Sequence, residues 1–478
     1  MSTPTRPSSL PAPAPGGTQA EAVSPLKSSA ALRPLLLLAL RGDAPLSGSQ
    51  GFDLTGVNEV FFGRGGAVAL MPGTTATSAR LELSDPIVSG NHARLRFEGE
   101  ETWLEDLGSR NGTRFKGELV TRSMIKTGDW FVIGRSVFVL GEKSHNIRCE
   151  PFTVGTSGRL CTFDTETARV FDTARSLAPS RVPLMLVAET GTGKEVLARE
   201  IHNMSLRPGP FIAVNCAALP ESLVESELFG YRKGAFSDAK EDRPGLIRSA
   251  EGGTLLLDEV AELPPGSQAK LLRVLQEGEV LPLGATRPVP INVRIIAATQ
   301  PQLEKAVQSG AFRADLLGRL AGYTLRLPPL RNRMSDLGLI VAQLLARHGG
   351  TDAGHIRISS DACVALFQRR WPLNVRELDQ ALSAAIVLGQ TKGEIDASHL
   401  GEAPPSLNES SPISADASES DDLKERLCAC LTRNQGNISA VARDMGKARM
   451  QIHRWLERFD LNPEAFRPSN GAGPEPDQ

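Results

Sequence analysis

The stretch from Leu184 to Glu195, which reads LMLVAETGTGKE, constrains the fold more than any other part of the 478-residue chain. An apolar run ends in a turn of small residues, and a helical pattern follows from Glu195 to Met204. A strand, a glycine-rich turn and a helix in this order present backbone N–H groups that curl around phosphate oxygens. The pattern predicts a nucleotide-binding loop, in which Lys194 neutralises the β- and γ-phosphates. The loop residues are Glu189, Thr190, Gly191, Thr192, Gly193, Lys194 and Glu195.

Two positions depart from the loop pattern GxxxxGK[ST]: Ala188 stands at the first glycine, and Glu195 at the magnesium-binding hydroxyl. Glycine-rich turns between a strand and a helix also occur without a ligand. A second stretch, GGTLLLDEV, is an apolar strand that ends in Asp258 and Glu259. Nucleotide hydrolases keep a magnesium-organising carboxylate and a water-orienting base at such a place. A buried strand with an acidic end is the plain alternative, but the two stretches together favour a Mg-ATP hydrolase.

The length predicts about three domains. Apolar residues make up 40% of the chain and charged residues 23%, as in ordinary globular proteins. No apolar run approaches the ~20 residues of a membrane helix, so we expect no membrane partner and a cytoplasmic location. The six cysteines lack metal-site spacing, which favours reduced thiols.

The N-terminal third changes character along its length. Residues 1–33 are rich in Pro, Ser, Ala and Gly and predict a disordered tail. Residues 34–142 alternate short apolar runs with turn signals, which predicts an all-β sandwich. Gly63-Arg64, VSGNHARL and SRNGT in this region together resemble a forkhead-associated (FHA) domain, the module that reads phosphothreonine. The resemblance implies that Arg64, Ser89 and Asn111 contact the phosphopeptide. A sandwich that serves only for packing or dimerisation is the alternative.

After a linker at residues 143–165, strands and helices alternate, which predicts an α/β core with a mostly parallel sheet over residues 166–335. Seven ordered segments here, among them VNCAALPESLVESELFGYRKGAFSDA, VRIIAAT and LPPLRNR, resemble bacterial enhancer-binding proteins. These are the AAA+ ATPases that activate RNA polymerase carrying sigma-54. The resemblance continues through WPLNVREL in a helical lid, residues 336–402.

The resemblance implies roles for matching residues. Asp258 organises magnesium and Glu259 is the catalytic base. The other reaction residues are the partner of that base, two arginines that reach a neighbouring subunit's site, and a lid sensor that binds ATP: Asn215, Arg313 with Arg319, and Arg376. An arginine supplied in trans is worth ~10³ to 10⁵ in rate, so hydrolysis is expected to depend on assembly, from a dimer to a hexamer. A charged helix face is the plain alternative for the two arginines.

The segment GAFSDA stands in place of the family's GAFTGA loop, which engages sigma-54. The implied sigma-54 contacts are Gly234, Ala235, Phe236 and Ser237. The chain departs from the family at four positions, with Ser237 for a threonine, Asp238 for a glycine, Gln300 for an asparagine and Leu373 for a glycine.

Residues 403–421 read as a linker, and residues 422–467 as an all-α helix-turn-helix centred on Gly446, followed by a disordered tail at residues 468–478. This region is similar to the C-terminal domain of the same family, of the type of the factor for inversion stimulation. Between Ile438 and Arg458, five basic and two acidic side chains give the surplus of positive charge that DNA phosphates require. The candidate DNA contacts are Arg449, Met450, Gln451, His453 and Arg454. A dimerising helical pair is the alternative.

The sequence therefore predicts an ATP-driven activator of sigma-54 RNA polymerase that binds upstream enhancer DNA. Its activity would be gated by phosphothreonine, on a partner or on its own chain, written by a Ser/Thr protein kinase. The competing hypothesis is a DNA-binding regulator whose AAA+ core is only an oligomerisation scaffold without sigma-54 contact. The four departures from the family distinguish the two. A phosphopeptide adaptor is a third hypothesis, which the complete series of ATPase motifs disfavours.

Overall fold

The computed structural model of the chain describes residues 34–46, 49–142, 160–402 and 427–445, together with single positions between 452 and 466. The chain divides into two compact units, residues 1–403 and residues 404–478. None of the helices in these described ranges is long and apolar enough to cross a lipid bilayer.

Residues 34–142 form two six-stranded sheets that pack face to face. The strands are β1 Pro34–Arg41, β2 Gln50–Asp53, β3 Glu59–Arg64, β4 Ala69–Pro72, β5 Ser78–Leu83, β6 Ala93–Glu98, β7 Glu101–Asp106, β8 Thr113–Phe115, β9 Glu118–Val120, β10 Arg122–Ile125, β11 Trp130–Ile133 and β12 Ser136–Glu142. The sheet orders are β2-β1-β12-β11-β8-β9 and β10-β7-β6-β3-β5-β4. Neighbouring strands are antiparallel except β3 and β5. The predicted all-β sandwich is confirmed.

Strand β1 has the sequence PLLLLALR, which is apolar at successive positions because both faces of the strand are buried. Side chains on one face, Leu36 and Leu38, lie in the sandwich core with Phe62. Those on the other face, Leu35 and Leu37, belong to a second core that includes helices far along the chain. Successive residues of a strand point to opposite faces, so a strand buried on both sides requires a continuous apolar run.

Residues 165–326 form an α/β layer structure around a parallel sheet. Its elements are α1 Thr165–Leu177, β13 Leu184–Val187, α2 Lys194–Met204, β14 Phe211–Asn215, α3 Glu221–Phe229, α4 Gly245–Ser249, β15 Thr254–Asp258, α5 Pro265–Glu277, β16 Glu279–Val280, β17 Val289–Pro290, β18 Arg294–Thr299, α6 Leu303–Gln308, α7 Ala314–Leu320 and β19 Tyr323–Arg326. The sheet order is β14-β15-β18-β13-β19, and its pairs are parallel. Apolar clusters cover both faces of the sheet. The predicted α/β core is confirmed, and the carboxyl ends of its strands meet at one edge.

A mainly helical segment follows the sheet. Its elements are α8 Leu337–His348, β20 Arg357–Ile358, α9 Ser360–Gln368, α10 Asn374–Gly389 and β21 Glu394–Ile395, and β20 pairs with β21 in parallel. Pro372, a residue that does not continue a helix, lies between α9 and α10. This break aims the first turn of α10 at the phosphate loop.

The C-terminal unit is described only in part. Residues 427–433 are helical, and α11 spans Ile438–Asp444 with Asn437 as its N-cap. Its apolar core contains Leu427, Leu431, Val441, Ala442, Ile452 and Leu456. The predicted DNA contacts Arg449, Met450, Gln451, His453 and Arg454 lie outside the described residues, so the helix-turn-helix stays a prediction.

Candidate functional site

The phosphate loop lies between the end of β13 and the start of α2, at the carboxyl edge of the sheet. Gly191 and Gly193 have φ of 77° and 106°, a backbone conformation that glycine adopts without steric cost. A Cβ on Gly191 would overlap the carbonyl oxygen of Leu373. The Lys194 side chain is buried, and its Nζ donates to the Ala188 carbonyl at 3.1 Å. The strand, turn and helix of the predicted loop are thus formed, and the Lys194 side chain reaches back across the turn to Ala188.

The two carboxylates at the end of β15 lie beside this lysine. Glu259 Oε1 is 3.2 Å from Lys194 Nζ, and Asp258 Oδ1 accepts a hydrogen bond from the Glu259 backbone N–H at 3.0 Å. Burial raises the pKa of the Asp258 carboxyl, while the positive charge of Lys194 opposes the shift. The lysine loop and the acidic end of β15 therefore lie side by side at the carboxyl edge of the sheet.

Asn215 ends the neighbouring strand β14, and its backbone is in register with Asp258. Its side chain is exposed, and its Oδ1 accepts from the Ala217 N–H at 3.0 Å. The family resemblance implies that Asn215 pairs with Glu259, but here Glu259 pairs with Lys194. The asparagine is therefore next to the site without engaging the base in this arrangement.

The lid holds the phosphate loop through Asn374, which sequence reasoning did not select. Asn374 is fully buried. Its Nδ2 donates to Glu189 Oε2 at 3.2 Å and to the Thr190 carbonyl at 3.0 Å, and its Oδ1 accepts from the Leu330 N–H at 2.8 Å. The Val375 N–H also donates to the Gly191 carbonyl at 3.0 Å. Asn374 lies inside WPLNVREL, so the quoted motif contained it without indicating its contacts.

Two arginines of LPPLRNR, also not selected from the sequence, complete this connection. Arg331 forms a bidentate pair with Glu189, at 2.6 and 2.8 Å. That hydrogen-bonded pair lowers the pKa of the Glu189 carboxyl. Arg333, which is buried, donates to the Thr192 carbonyl at 2.7 Å. The side chain of Glu189 thus faces the lid, while its backbone carbonyl accepts from the Thr192 N–H and hydroxyl.

Other predicted residues lie at the surface near this site. Glu195 pairs with Arg199 one helical turn away, at 2.9 Å, and Arg376 is exposed on the first turn of α10. Leu373 has a φ of −98°, so this position does not require the glycine that the family has there.

Arg313 and Arg319 both lie on the surface of α7, Arg313 as its N-cap and Arg319 in its last turn. Arg313 pairs with Asp315 at 2.8 Å. The described hydrogen bonds of the two arginines do not reach the phosphate loop of their own subunit.

The GAFSDA loop is a compact, exposed turn. The Gly234 N–H donates to the Ala239 carbonyl at 2.8 Å and closes the turn. The Phe236 side chain is 41% exposed, and its ring lies edge-on against the Tyr231 ring, with centroids 4.9 Å apart. At the loop's exposed tip, Ser237 follows Phe236, and the next residue, Asp238, is not in the left-handed region. The substitution of a glycine by Asp238 therefore causes no backbone strain.

The three predicted phosphopeptide residues converge on one loop of the sandwich, residues 86–91. The exposed Arg64 donates to the Pro86 carbonyl at 3.5 Å, and Asn111 Nδ2 donates to the Ile87 carbonyl at 2.6 Å. The Ser89 hydroxyl accepts from the Arg110 N–H at 3.0 Å. A guanidinium, a hydroxyl and an amide at one end of a sandwich are suited to a phosphate group.

His92 connects loop 86–91 with the neighbouring loop that carries Gly112. Its Nδ1 accepts from the Ser89 N–H at 3.1 Å, and its Nε2 lies 3.2 Å from the Gly112 carbonyl, to which it donates. The ring is fully buried, and this burial lowers its pKa. Arg80, which the sequence did not single out, supports the same loop through the Gly90 carbonyl at 2.5 Å.

Comparison with protein families matches three stretches of the chain. A sigma-54 interaction domain matches residues 160–326, an FHA domain residues 60–134 and an AAA+ ATPase lid domain residues 331–419. These matches confirm the predicted FHA domain and AAA+ ATPase.

Proteins similar to this chain include transcriptional regulators. The chain is 43% identical over 317 residues to the acetoin catabolism regulatory protein of Cupriavidus necator, a match that covers 63% of this chain and 47% of the relative. It is 40% identical over 301 residues to the transcriptional regulatory protein GlrR of Escherichia coli, covering 63% and 67%. It is 41% identical over 299 residues to the Nif-specific regulatory protein of Azotobacter vinelandii, covering 62% and 57%. The chain thus spans about half to two thirds of the length of these relatives.

A similar solved structure is that of NtrX from Brucella abortus in complex with ATP. It is 30% identical, covers 64% of this chain and 70% of that chain, and has a TM-score of 0.46.

Proposed function

Because the chain belongs to the family of transcriptional regulators that carry a sigma-54 interaction domain, we propose that it is an ATP-driven activator of transcription by sigma-54 RNA polymerase. The observation that carries this proposal is the contact of Lys194 with Glu259, 3.2 Å apart beneath the lid. A phosphate-binding lysine and a carboxylate base in one site are the components of nucleotide hydrolysis.

The residues of this site divide the chemistry between them. The N–H groups of the phosphate loop and Lys194 bind the β- and γ-phosphates, and the lysine then exchanges Glu259 for phosphate oxygens. Glu259 would thereby be released to orient the attacking water, and Asn215, one strand away, would become its hydrogen-bond partner. The carboxylates beside Lys194 are hard oxygen donors, which suit Mg²⁺. Asp258 would hold the ion, which would neutralise phosphate charge.

Arg313 and Arg319 would complete the site of a neighbouring subunit. Both are exposed on α7, and an arginine delivered in trans stabilises the charge that develops on the γ-phosphate. Hydrolysis would then require a homo-oligomer, which we propose to be a hexameric ring. The lid residue Arg376 would contact the nucleotide from above the phosphate loop.

The exposed GAFSDA loop would transmit the hydrolysis cycle to sigma-54. An aromatic side chain that is exposed on a glycine-flanked turn is suited to a partner contact. Upstream DNA would be held by the C-terminal unit through Arg449, Gln451 and Arg454, a proposal that rests on the sequence pattern alone. The FHA loops would bind phosphothreonine, written by a Ser/Thr kinase on a partner or on this chain.

Capture of sigma-54 tests the proposal. Full-length protein would be mixed with purified sigma-54, ADP and aluminium fluoride, and the complex separated by gel filtration. We expect a stable complex for the wild type and its loss for Phe236→Ala. Leu223→Ala removes an apolar side chain of similar exposure, 47% against 41%, and should still capture sigma-54. Nucleotide binding without capture by the wild type would instead favour the scaffold regulator.

Phosphothreonine recognition has its own test. Full-length protein would be titrated with a degenerate pool of phosphothreonine peptides and with the matching threonine pool. We expect binding of the phosphorylated pool only, and its loss in Arg64→Ala. Arg96→Ala, an arginine on β6 that pairs with Glu59 and Glu98, is the control. Equal binding of the two pools would refute this part of the proposal.

A further inference from the structure

The FHA domain and the AAA+ lid share one hydrophobic core. Side chains of the sandwich, including Leu37, Ala39 and Trp130, lie in the same buried cluster as side chains of α8 to α10. The Trp130 ring packs on the Phe367 ring of α9, with centroids 5.5 Å apart. Such a continuous core differs from a flexible linkage between two domains. The sandwich face opposite its own core is therefore part of the lid's interior.

Glycines allow the two backbones to approach closely at this interface. A Cβ on Gly42, which follows β1, would overlap the carbonyl oxygen of Ile358 in β20. A Cβ on Gly338, in the first turn of α8, would overlap the carbonyl oxygen of Ala39. The Ile358 N–H donates to the Gly42 carbonyl at 2.8 Å. The fit leaves no room for even one methyl group at two points that lie far apart in the sequence.

Polar contacts fix the same interface. Arg135, in the turn before β12, forms an ion pair with Glu394 of β21 at 3.0 Å, and the Gln368 side chain of α9 donates to the Lys116 carbonyl at 2.9 Å. Arg135 also reaches back into the sandwich, where the buried Asp85 accepts from its backbone N–H at 2.7 Å and from its guanidinium at 3.3 Å. A single arginine thus joins the lid to the interior of the FHA domain.

Asp85 immediately precedes residues 86–91, the loop on which the predicted phosphopeptide residues converge and which we call the peptide loop. Its side chain accepts from the Ile87 N–H at 3.2 Å, and the Ile87 carbonyl is the group to which Asn111 donates. At the other end of the connection, α10 places Asn374 on the phosphate loop. The peptide loop and the phosphate loop are therefore linked through one continuous set of contacts across the lid.

We infer that the FHA domain is built into the AAA+ lid and sets the lid's position over the phosphate loop, with Arg135 as the positioning residue. A phosphopeptide on the FHA loops acts on nucleotide binding through the lid, and by reciprocity nucleotide acts on phosphopeptide affinity. This second statement rests on the proposed phosphothreonine binding, whereas the first does not.

The first statement is tested without any peptide. A fluorescent ADP analogue would be titrated into full-length wild type, Gly42→Ala and Gly66→Ala. Both substitutions lie in the FHA domain, but a Cβ at Gly66 meets open space. We expect Gly42→Ala to weaken ADP binding about threefold or more, and Gly66→Ala to match the wild type. If Gly42→Ala is folded and binds ADP as the wild type does, the inference is overturned.

A double-mutant cycle keeps the test decisive if Gly42→Ala does not fold. Arg135→Ala and Glu394→Gln should each weaken ADP binding. The double variant should bind ADP no more weakly than the weaker-binding single variant. Arg135→Lys, which keeps the positive charge, should bind ADP more tightly than Arg135→Ala. Independent, additive effects, or no effect, would overturn the positioning role.

The second statement is tested with the phosphothreonine and threonine peptide pools. In the wild type the phosphorylated pool should change ADP affinity about threefold or more, a typical size for coupling between sites. In Arg135→Ala the pool should still bind but leave ADP affinity unchanged. Binding without any change in the wild type overturns coupling through the lid. If neither pool binds, phosphothreonine recognition fails, and the peptide-free titrations still decide the lid inference.

Discussion

Replacement of Asn374 by alanine tests how the lid holds the phosphate loop. The side chain joins three segments, because it donates to Glu189 and Thr190 of the loop and accepts from Leu330 of the LPPLRNR segment. It does so from a backbone with φ of 55°, a conformation that asparagine tolerates better than alanine. Alanine therefore removes the three bonds and also strains the backbone.

The magnitude follows from these contacts. The Leu330 N–H is buried with its partner, and an unsatisfied buried donor costs about 1–3 kcal/mol. The bond to the Glu189 carboxylate is charge-assisted and is worth about 1.5–3 kcal/mol. The left-handed backbone adds about 1 kcal/mol. Such contributions are not additive among neighbouring groups. We therefore expect the substitution to destabilise the docked position of the lid by about 3–5 kcal/mol.

Nucleotide affinity reports the part of this loss that the docked lid transmits to the bound nucleotide. Titration of a fluorescent ATP analogue into Asn374→Ala should show binding weakened by about tenfold or more, which corresponds to about 1.4 kcal/mol. Asn374→Asp, which keeps the bond from Leu330 but turns an oxygen toward the Glu189 carboxylate, should be at least as weak. Asn332→Ala, an exposed asparagine of the same segment, is the control. Affinity of folded Asn374→Ala within twofold of this control would refute the lid's role in holding the loop.

Three further predictions concern buried titratable groups and the sigma-54 loop. Burial lowers the pKa of His92 below 6.5, so the neutral ring stabilises the FHA loops above pH 6.5, and this stabilisation is lost as the pH falls. The melting temperature of the wild type should therefore drop more between pH 7.5 and 5 than that of His92→Gln. Burial raises the pKa of Asp336 to about 6, so its ionisation above pH 6 destabilises the folded state, and this stability returns as the pH falls. On acidification the free energy of unfolding of the wild type should therefore rise by up to about 3 kcal/mol more than that of Asp336→Asn. Equal pH profiles of the two proteins in thermal unfolding would contradict this. Tyr231→Ala removes the ring under Phe236 and should weaken sigma-54 capture about 2- to 10-fold, whereas Tyr323→Ala, the chain's other tyrosine, should leave capture unchanged.

The sequence predicted the layers of the fold and the two motifs that meet at Lys194 and Glu259 because both depend on local patterns. Lys194 and the acidic end of β15 each belong to a short motif that follows an apolar strand. Parallel strands bring such motifs to the same edge of the sheet. The alternation of the N-terminal strands likewise predicted a sandwich. What these patterns share is that each is read within a window of about ten residues.

The features that the sequence did not predict depend on distant partners. The apolar run of β1 predicted a strand, but its second buried face became evident only with α8 and α9, about three hundred residues further along the chain. Asn374 was passed over because its contacts with Glu189 and Leu330 join three separate segments. The pairing of Glu259 with Lys194 rather than with Asn215 depends on side-chain conformation, which spacing does not determine.

The central claim, an ATPase completed by its neighbours, is tested most directly by hydrolysis measured against protein concentration. The rate per protomer should rise steeply with concentration in the wild type and be lost in both Glu259→Gln and Arg319→Ala. Mixing the two variants should restore part of the activity, because a Glu259→Gln subunit can lend its Arg319 to the intact Glu259 of a neighbour. A rate per protomer that is independent of concentration, or a mixture as inactive as its components, would contradict the account.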